Sequence, residues 1–228
     1  MSNINIAIDG YSACGKSSTA IEVAKLLNYI YIDTGAMYRA VTLYFIENNI
    51  DIANSKSIEA ALQNIQLKFK NIDKERILLL NNKNVEQKIR QPEVASLVSE
   101  VSAISAVRKK MVEQQQLMAL QKGVVMDGRD IGSVVLPNAE LKFFMTANID
   151  IRTKRRQKEL LEKTGKLYDL NEIKENLIHR DNIDSTRADS PLTLVKDAMI
   201  IDTSFITLEE QIETIYQKAI QKINEMVA

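Results

Sequence analysis

Apolar and polar positions change their period several times along the chain. Ile4, Ile6 and Ile8 form a short β-branched run that ends at Asp9-Gly10, which predicts a buried strand running into a turn. From about Lys16 to Leu27 the spacing becomes helical, with Ala20, Val23, Ala24 and Leu27 on one face. "YIYID" then predicts a second strand and "GAMYRAVTLYFIENN" a second helix. Three further short apolar runs, "VVMDGRD", "ELKFFMTA" and "DAMIIDT", are separated by helical stretches. Strands crossed over by helices imply an α/β fold, a parallel sheet flanked by helices on both faces.

One segment departs from this rhythm. "IQLKFKNIDKERILLLNNKNV" reads as short antiparallel strands joined by polar turns, and about 35 helical residues are expected from Pro92 onward. Residues from about 50 to 121 are therefore expected to be an insertion between core strands. At the C-terminal end Thr207 and Glu210 form a capping box, followed by Leu208, Ile212, Ile215, Ala219 and Ile223 on one face of a helix that packs on the core.

Composition narrows the function classes. A 228-residue chain that is 45% hydrophobic can bury a sizeable core and fits one domain with subdomains. Thirty basic residues balance thirty acidic ones, so the chain lacks the basic excess expected of a general nucleic-acid binder. The single cysteine, Cys14, can form no internal disulfide, and His179 is the only histidine, which disfavours a catalytic triad or a histidine-rich metal site. With no long apolar run and no basic leader, a soluble, cytoplasmic protein with no membrane partner is expected.

The chemistry starts at GYSACGKSS. Gly10, Gly15, Lys16 and Ser17 fit G-x-x-x-x-G-K-[ST] between a strand and a helix, the setting of a phosphate-binding loop. Its glycines let backbone N–H groups turn inward, the helix N-terminus adds positive potential, Lys16 supplies charge for the β and γ phosphates, and Ser17 suits Mg²⁺. The segment Gly10, Tyr11, Ser12, Ala13, Cys14, Gly15, Lys16, Ser17 and Ser18 is thus the expected phosphate-binding loop. Cys14 has two readings there, a thiol whose pKa the helix lowers or simply a small residue that fits. "DTGAMYR" puts Asp33 and Thr34 at a strand end with Arg39 one turn into a helix. "DGRD" places Asp127, Arg129 and Asp130 at another strand end, where open α/β sheets bind ligands. "RDNIDSTR" spaces Arg180, Asp184 and Arg187 by four and three, one face if helical.

These segments, with "IRQPEVASLVSEVSAISAVR", occur in the order and approximate spacing of the bacterial cytidylate kinases, which the chain resembles over essentially its whole length. The resemblance implies a P-loop kinase domain over residues 1–228 that moves the γ-phosphate of ATP to CMP or dCMP. Its core would be residues 1–49, 122–148 and 190–228, its nucleoside-monophosphate-binding insertion about 50–121, and its helical lid about 149–189. Ser99, Arg108 and Asp130 would read cytosine, whose amine donates to a carboxylate while O2 and N3 accept from a hydroxyl or guanidinium. Asp184 would take ribose hydroxyls with help from Arg180. Thr34, Arg39, Arg129 and Arg187 would hold the acceptor phosphate, with Lys16, Arg39, Arg129 and Arg187 carrying catalysis. Asp127 would hold Mg²⁺, directly or through water.

In "IDIRTKRRQKELLEKTGK", Arg152, Lys154, Arg155 and Arg156 start the lid, and the resemblance assigns Arg155 and Arg156, together with the loop from Gly10 to Ser18, to ATP. The resemblance also implies a monomer. Tyr11 stands where the family often has proline, Cys14 where it has alanine or threonine, and Ile183 where some members carry a further arginine. Other readings are a P-loop kinase for UMP, AMP or shikimate, a non-catalytic nucleotide-binding module, and an RNA-associated factor. Absence of N-K-x-D argues against a GTPase.

Overall fold

The computed structural model describes residues 3–72 and 75–226. In chain order these form β1 (Asn5–Gly10), α1 (Lys16–Leu27), β2 (Ile30–Asp33), α2 (Thr34–Glu47) and α3 (Ser55–Gln63). Then come β3 (Leu67–Ile72), β4 (Glu75–Leu80), β5 (Lys83–Asn84), a 3₁₀ turn at Lys88–Arg90, α4 (Pro92–Ala103) and α5 (Ser105–Met118). The chain continues through β6 (Val124–Gly128), a π-helical turn at Ile131–Val135, β7 (Leu141–Thr146), α6 (Ile149–Thr164), α7 (Leu170–Thr186), β8 (Met199–Asp202) and α8 (Leu208–Glu225). Two compact units result: the residues up to Ile32 together with those from Gln116 onward, and Asp33–Gln115.

In the first unit a five-stranded sheet has the order β2-β6-β1-β7-β8. The central strand β1 runs parallel to β6 and β7, and β7 runs parallel to β8. Every residue of β1 is buried, which is why its run is nearly continuous in apolar character. Ile4, Ile6, Ile8, Val125, Phe143 and Met145 form one core with Ala20, Val23 and Ala24 of α1 and Ile215 and Ala219 of α8. The Thr207–Glu210 capping box is present. The stripe expected along α8 is rotated at its start, since Leu208 is 38% exposed while Gln211 is 3% exposed. Gln211 is drawn inward because its Oε1 accepts from the hydroxyl of Thr19 on α1, 3.1 Å away.

In the second unit β3, β4 and β5 form the expected antiparallel sheet. Asn81 and Asn82 turn the chain between β4 and β5 with positive φ of 49° and 64°, a conformation asparagine tolerates. The β3–β4 turn at 73–74 lies outside the described residues. Helix α3, absent from the sequence reading, begins at Asn54, whose side chain accepts from the N–H groups of Lys56 and Ser57. The single helical run expected from Pro92 is instead two helices, because Ile104 is extended (φ −71°, ψ 122°). That break frees carbonyls at the end of α4, and Arg108 Nη1 donates to the Ser102 carbonyl at 3.1 Å.

Candidate active site

The phosphate loop leaves the central strand at its C-terminal end, the edge where open α/β sheets place ligands. Gly10 (φ +143°) is obligatory, since a Cβ there would sit 1.9 Å from the Met145 carbonyl oxygen. Ala13 (φ 60°) and Gly15 (φ +89°) also lie at positive φ, and this alternation turns successive N–H groups into one concavity. Helix α1 starts at Lys16 without a side-chain cap, so its first N–H groups remain available to an anion. Ser18 is exposed on its first turn.

Lys16 is 5% exposed and its ammonium donates to the Tyr11 carbonyl at 2.5 Å. Burial, reinforced by the nearby Arg129 charge, lowers its pKa to about 8. Ser17 Oγ donates to Asp127 Oδ2 at 2.7 Å, and Asp127 Oδ1 accepts from the Tyr31 hydroxyl at 2.8 Å. A hydroxyl beside a carboxylate already oriented by a second hydroxyl is a donor set that suits Mg²⁺, a hard cation that keeps waters and phosphate oxygens as further ligands. Among the described residues no group of three His, Cys, Asp or Glu side chains could hold a metal unaided. Cys14 is fully buried, and burial pushes its thiol up, which removes the reactive-thiol reading.

At the end of β6, Arg129 is the hub of a second cluster. Its Nε donates to Asp184 Oδ2 (2.7 Å), its Nη2 to Ser12 Oγ (2.8 Å) and its Nη1 to the Gly128 carbonyl (3.2 Å). Arg187 Nη1 donates to Asp184 Oδ1 at 3.3 Å, while its Nη2 lies 3.6 Å from Asp130 Oδ1 and also donates to the Ser190 carbonyl. Burial works against the Asp184 charge, but Arg129, Arg187 and Arg180 outweigh it and hold the carboxyl below its usual range. Arg180 and Asp184 lie within α7, whereas Arg187 is its C-cap, one residue beyond the helix. The structure thus brings together Ser12, Arg129, Asp184, Arg187 and Asp130, five groups from three separate segments.

The basic run at the start of α6 separates into different roles. Arg155 Nη1 donates to Thr203 Oγ1 at 3.0 Å, and that hydroxyl donates to the Cys14 carbonyl of the loop at 3.0 Å. Arg156 pairs with Glu159 on its own helix at 2.8 Å, and Lys154 is exposed. Arg152 is buried against the loop.

In the second unit Asp33 caps α2 by accepting from the Ala36 N–H at 2.7 Å, and it pairs with Arg39 Nη2 at 2.9 Å. Thr34, the first residue of α2, is buried. Ser99 is buried on α4, which packs against α2, and Arg108 is buried on α5 with its guanidinium 5.4 Å above the Tyr38 ring.

Asp9, Tyr31 and Asp181 were not singled out from the sequence. Asp9 is buried and accepts from the N–H groups of Ile131 (2.8 Å) and Gly132 (2.7 Å), so it ties the end of β1 to the turn that follows Asp130. Burial raises its pKa to about 6 against the opposing pull of those two N–H groups. The available signals were its place directly before Gly10 and, for Asp181, its place directly after Arg180.

Residues 6–221 match the family model for cytidylate kinase. The chain is 51% identical to a cytidylate kinase of Cytophaga hutchinsonii, over 99% of this chain and 97% of that one. It is 47% identical to a cytidylate kinase of Flavobacterium johnsoniae, over 100% and 99%. Among solved structures, an uncharacterized protein from Eubacterium ventriosum shares the fold, with a TM-score of 0.52 at 12% identity over 96% of this chain and 99% of that one. A phosphate loop with its lysine and serine in place, a cation-rich strand end and a match over almost the full length agree, and the chain belongs to the cytidylate kinase family.

Proposed function

We propose that this chain transfers the γ-phosphate of ATP to CMP or dCMP, releasing ADP and CDP or dCDP, by direct in-line displacement. The observation that supports this is the phosphate loop, with Lys16 buried against the Tyr11 carbonyl and Ser17 bonded to Asp127, in a chain of this family. An oxygen of the CMP phosphate attacks the γ-phosphorus while the bond to the ADP oxygen breaks, so neither a covalent enzyme intermediate nor a strong base is required. Alignment and preorganised positive charge do most of the catalytic work.

On the donor side, the N–H groups of the loop and of α1 hold the phosphates, and Lys16 exchanges the Tyr11 carbonyl for phosphate oxygens. Mg²⁺ held by Ser17 and Asp127 would neutralise charge on the β and γ phosphates. For the acceptor, Arg129, Arg187, Arg39 and Thr34 hold the phosphate, Asp184 and Arg180 take the ribose, and Ser99, Arg108 and Asp130 read cytosine. The network around Arg129 supports its part, since Asp184 and Ser12 fix the guanidinium before substrate arrives. A monomer suffices for this chemistry. Among the described residues no helix is long and apolar enough to cross a membrane.

A coupled ADP-release assay with ATP and Mg²⁺ tests the reading, offering CMP, dCMP, UMP, AMP and GMP separately beside a no-acceptor control. Turnover confined to CMP and dCMP is expected, with Lys16→Ala lowering it by about 10² or more. Turnover with AMP or GMP instead would remove Ser99, Arg108 and Asp130 as base readers.

A further inference from the structure

The phosphate loop holds strain at a defined place. Ala13 adopts φ 60° although it is not glycine, and such a backbone persists only where its surroundings over-determine it. The residue before it, Ser12, is engaged at all three of its polar groups. Its N–H donates to Asp181 Oδ1 at 3.0 Å, its carbonyl accepts from Arg152 Nη1 at 3.3 Å, and its hydroxyl accepts from Arg129. Asp181 and Arg152 are themselves a buried ion pair, between Asp181 Oδ2 and Arg152 Nη1. Arg152 is fixed further by donating Nε to the Ala147 carbonyl at 3.0 Å and by lying 5.3 Å from the Tyr11 ring.

We infer that Asp181, acting with Arg152, is a positioning residue for phosphoryl transfer, a clamp from α7 and α6 that fixes the Ser12 peptide so that the loop stands ready for the donor phosphates. The pair grips both ends of one residue. A carboxylate takes the N–H and a guanidinium takes the carbonyl, so rotation of Ser12 would break two charge-assisted hydrogen bonds in a buried setting. Within the basic run of α6, Arg152 therefore acts on the loop backbone, and its partner is a carboxylate from the other lid helix.

The inference rests on the loop being the ATP site, and Lys16→Ala serves as the control for that. Full-length Asp181→Asn, Asp181→Ala and Arg152→Met would be compared by steady-state kinetics with ATP and CMP varied separately, by calorimetric titration with ATP, and by thermal melting. Asp181→Asn keeps an oxygen for the Ser12 N–H but loses the charge facing Arg152, whereas Asp181→Ala loses both. The expected result is a rise in ATP KM and Kd of about fivefold for Asp181→Asn and about tenfold or more for Asp181→Ala, with CMP KM changed less than about twofold.

Arg152→Met should match Asp181→Ala, and the double variant Arg152→Met/Asp181→Ala should be no worse than either, because one clamp is broken once. Should Asp181→Ala fail to fold, Asp181→Asn still reads the effect. Unchanged ATP KM and Kd alongside a lowered melting temperature would overturn the inference and leave the pair a structural brace. Tighter ATP binding in Asp181→Ala would also overturn it, showing the carboxylate to compete with phosphate for the loop. If Lys16→Ala also bound ATP normally, the donor-site reading itself would fall.

Discussion

Lys16 keeps its charge against opposition. Burial, with Arg129 as a second source, lowers its pKa to about 8, so the free protein carries the cation below that pH and loses it above. Phosphate oxygens reverse the balance, because they favour the charged form wherever they touch it. The pH dependence of the free and bound enzyme should therefore differ. For ATP, kcat/KM is expected to fall above about pH 8 by about tenfold per unit, whereas kcat, which reports the bound complex, should break at higher pH. Lys16→Arg carries a charge that does not titrate in this range, so its kcat/KM profile should lose the break even if its absolute value is low. A wild-type kcat/KM that stayed flat to about pH 9.5 would show that Lys16 is fully charged before ATP arrives.

Elements place these residues, and two of them can be tested through stability. Gly10 pairs with Met145 in the register of β1 and β7, and an added Cβ would meet backbone, which cannot rotate away. Gly10→Ala should cost about 3 kcal/mol or more in urea unfolding, or prevent folding outright. The α8 cap is milder: Thr207→Ala removes one bond of the capping box and should cost about 1 kcal/mol with unchanged kinetic constants. Element positions were largely legible because period follows burial. The buried run of β1 and the Ala20, Val23, Ala24 stripe both survive in the fold. Two features escaped for a physical reason. A single extended residue, Ile104, splits α4 from α5 without disturbing the helical period on either side. Gln211 takes a core place from Leu208 because its partner, Thr19, lies 192 residues away in sequence.

Across the whole molecule the same contrast separates the legible part of the site from the rest. The loop could be read because phosphate binding fixes glycine, lysine and serine at short spacings. Asp9 and Asp181 could not, because their partners are set by strand order and by the docking of α7, across 122 and 169 residues respectively. The site also weighs on the fold that carries it. The Lys16 pKa is about 8 in the folded chain against an ordinary 10.5, so at neutral pH the folded state bears a burial cost on the order of 3 kcal/mol that the unfolded chain does not. Between those two values the unfolded chain binds more protons than the folded one, and stability contributed through this group rises with pH. Lys16→Met should therefore abolish phosphoryl transfer yet stabilise the ligand-free protein by about 1–3 kcal/mol at pH 7, the loss of the Tyr11 bond offsetting part of the gain. That advantage should shrink as pH rises from about 8 toward 10.5. ATP at about one hundred times its Kd should add about 2.7 kcal/mol to the wild type and little to the variant. Urea unfolding with and without ATP at two pH values measures all of this, and a Lys16→Met protein less stable than wild type at pH 7 would show that the buried ammonium holds the loop together rather than straining it.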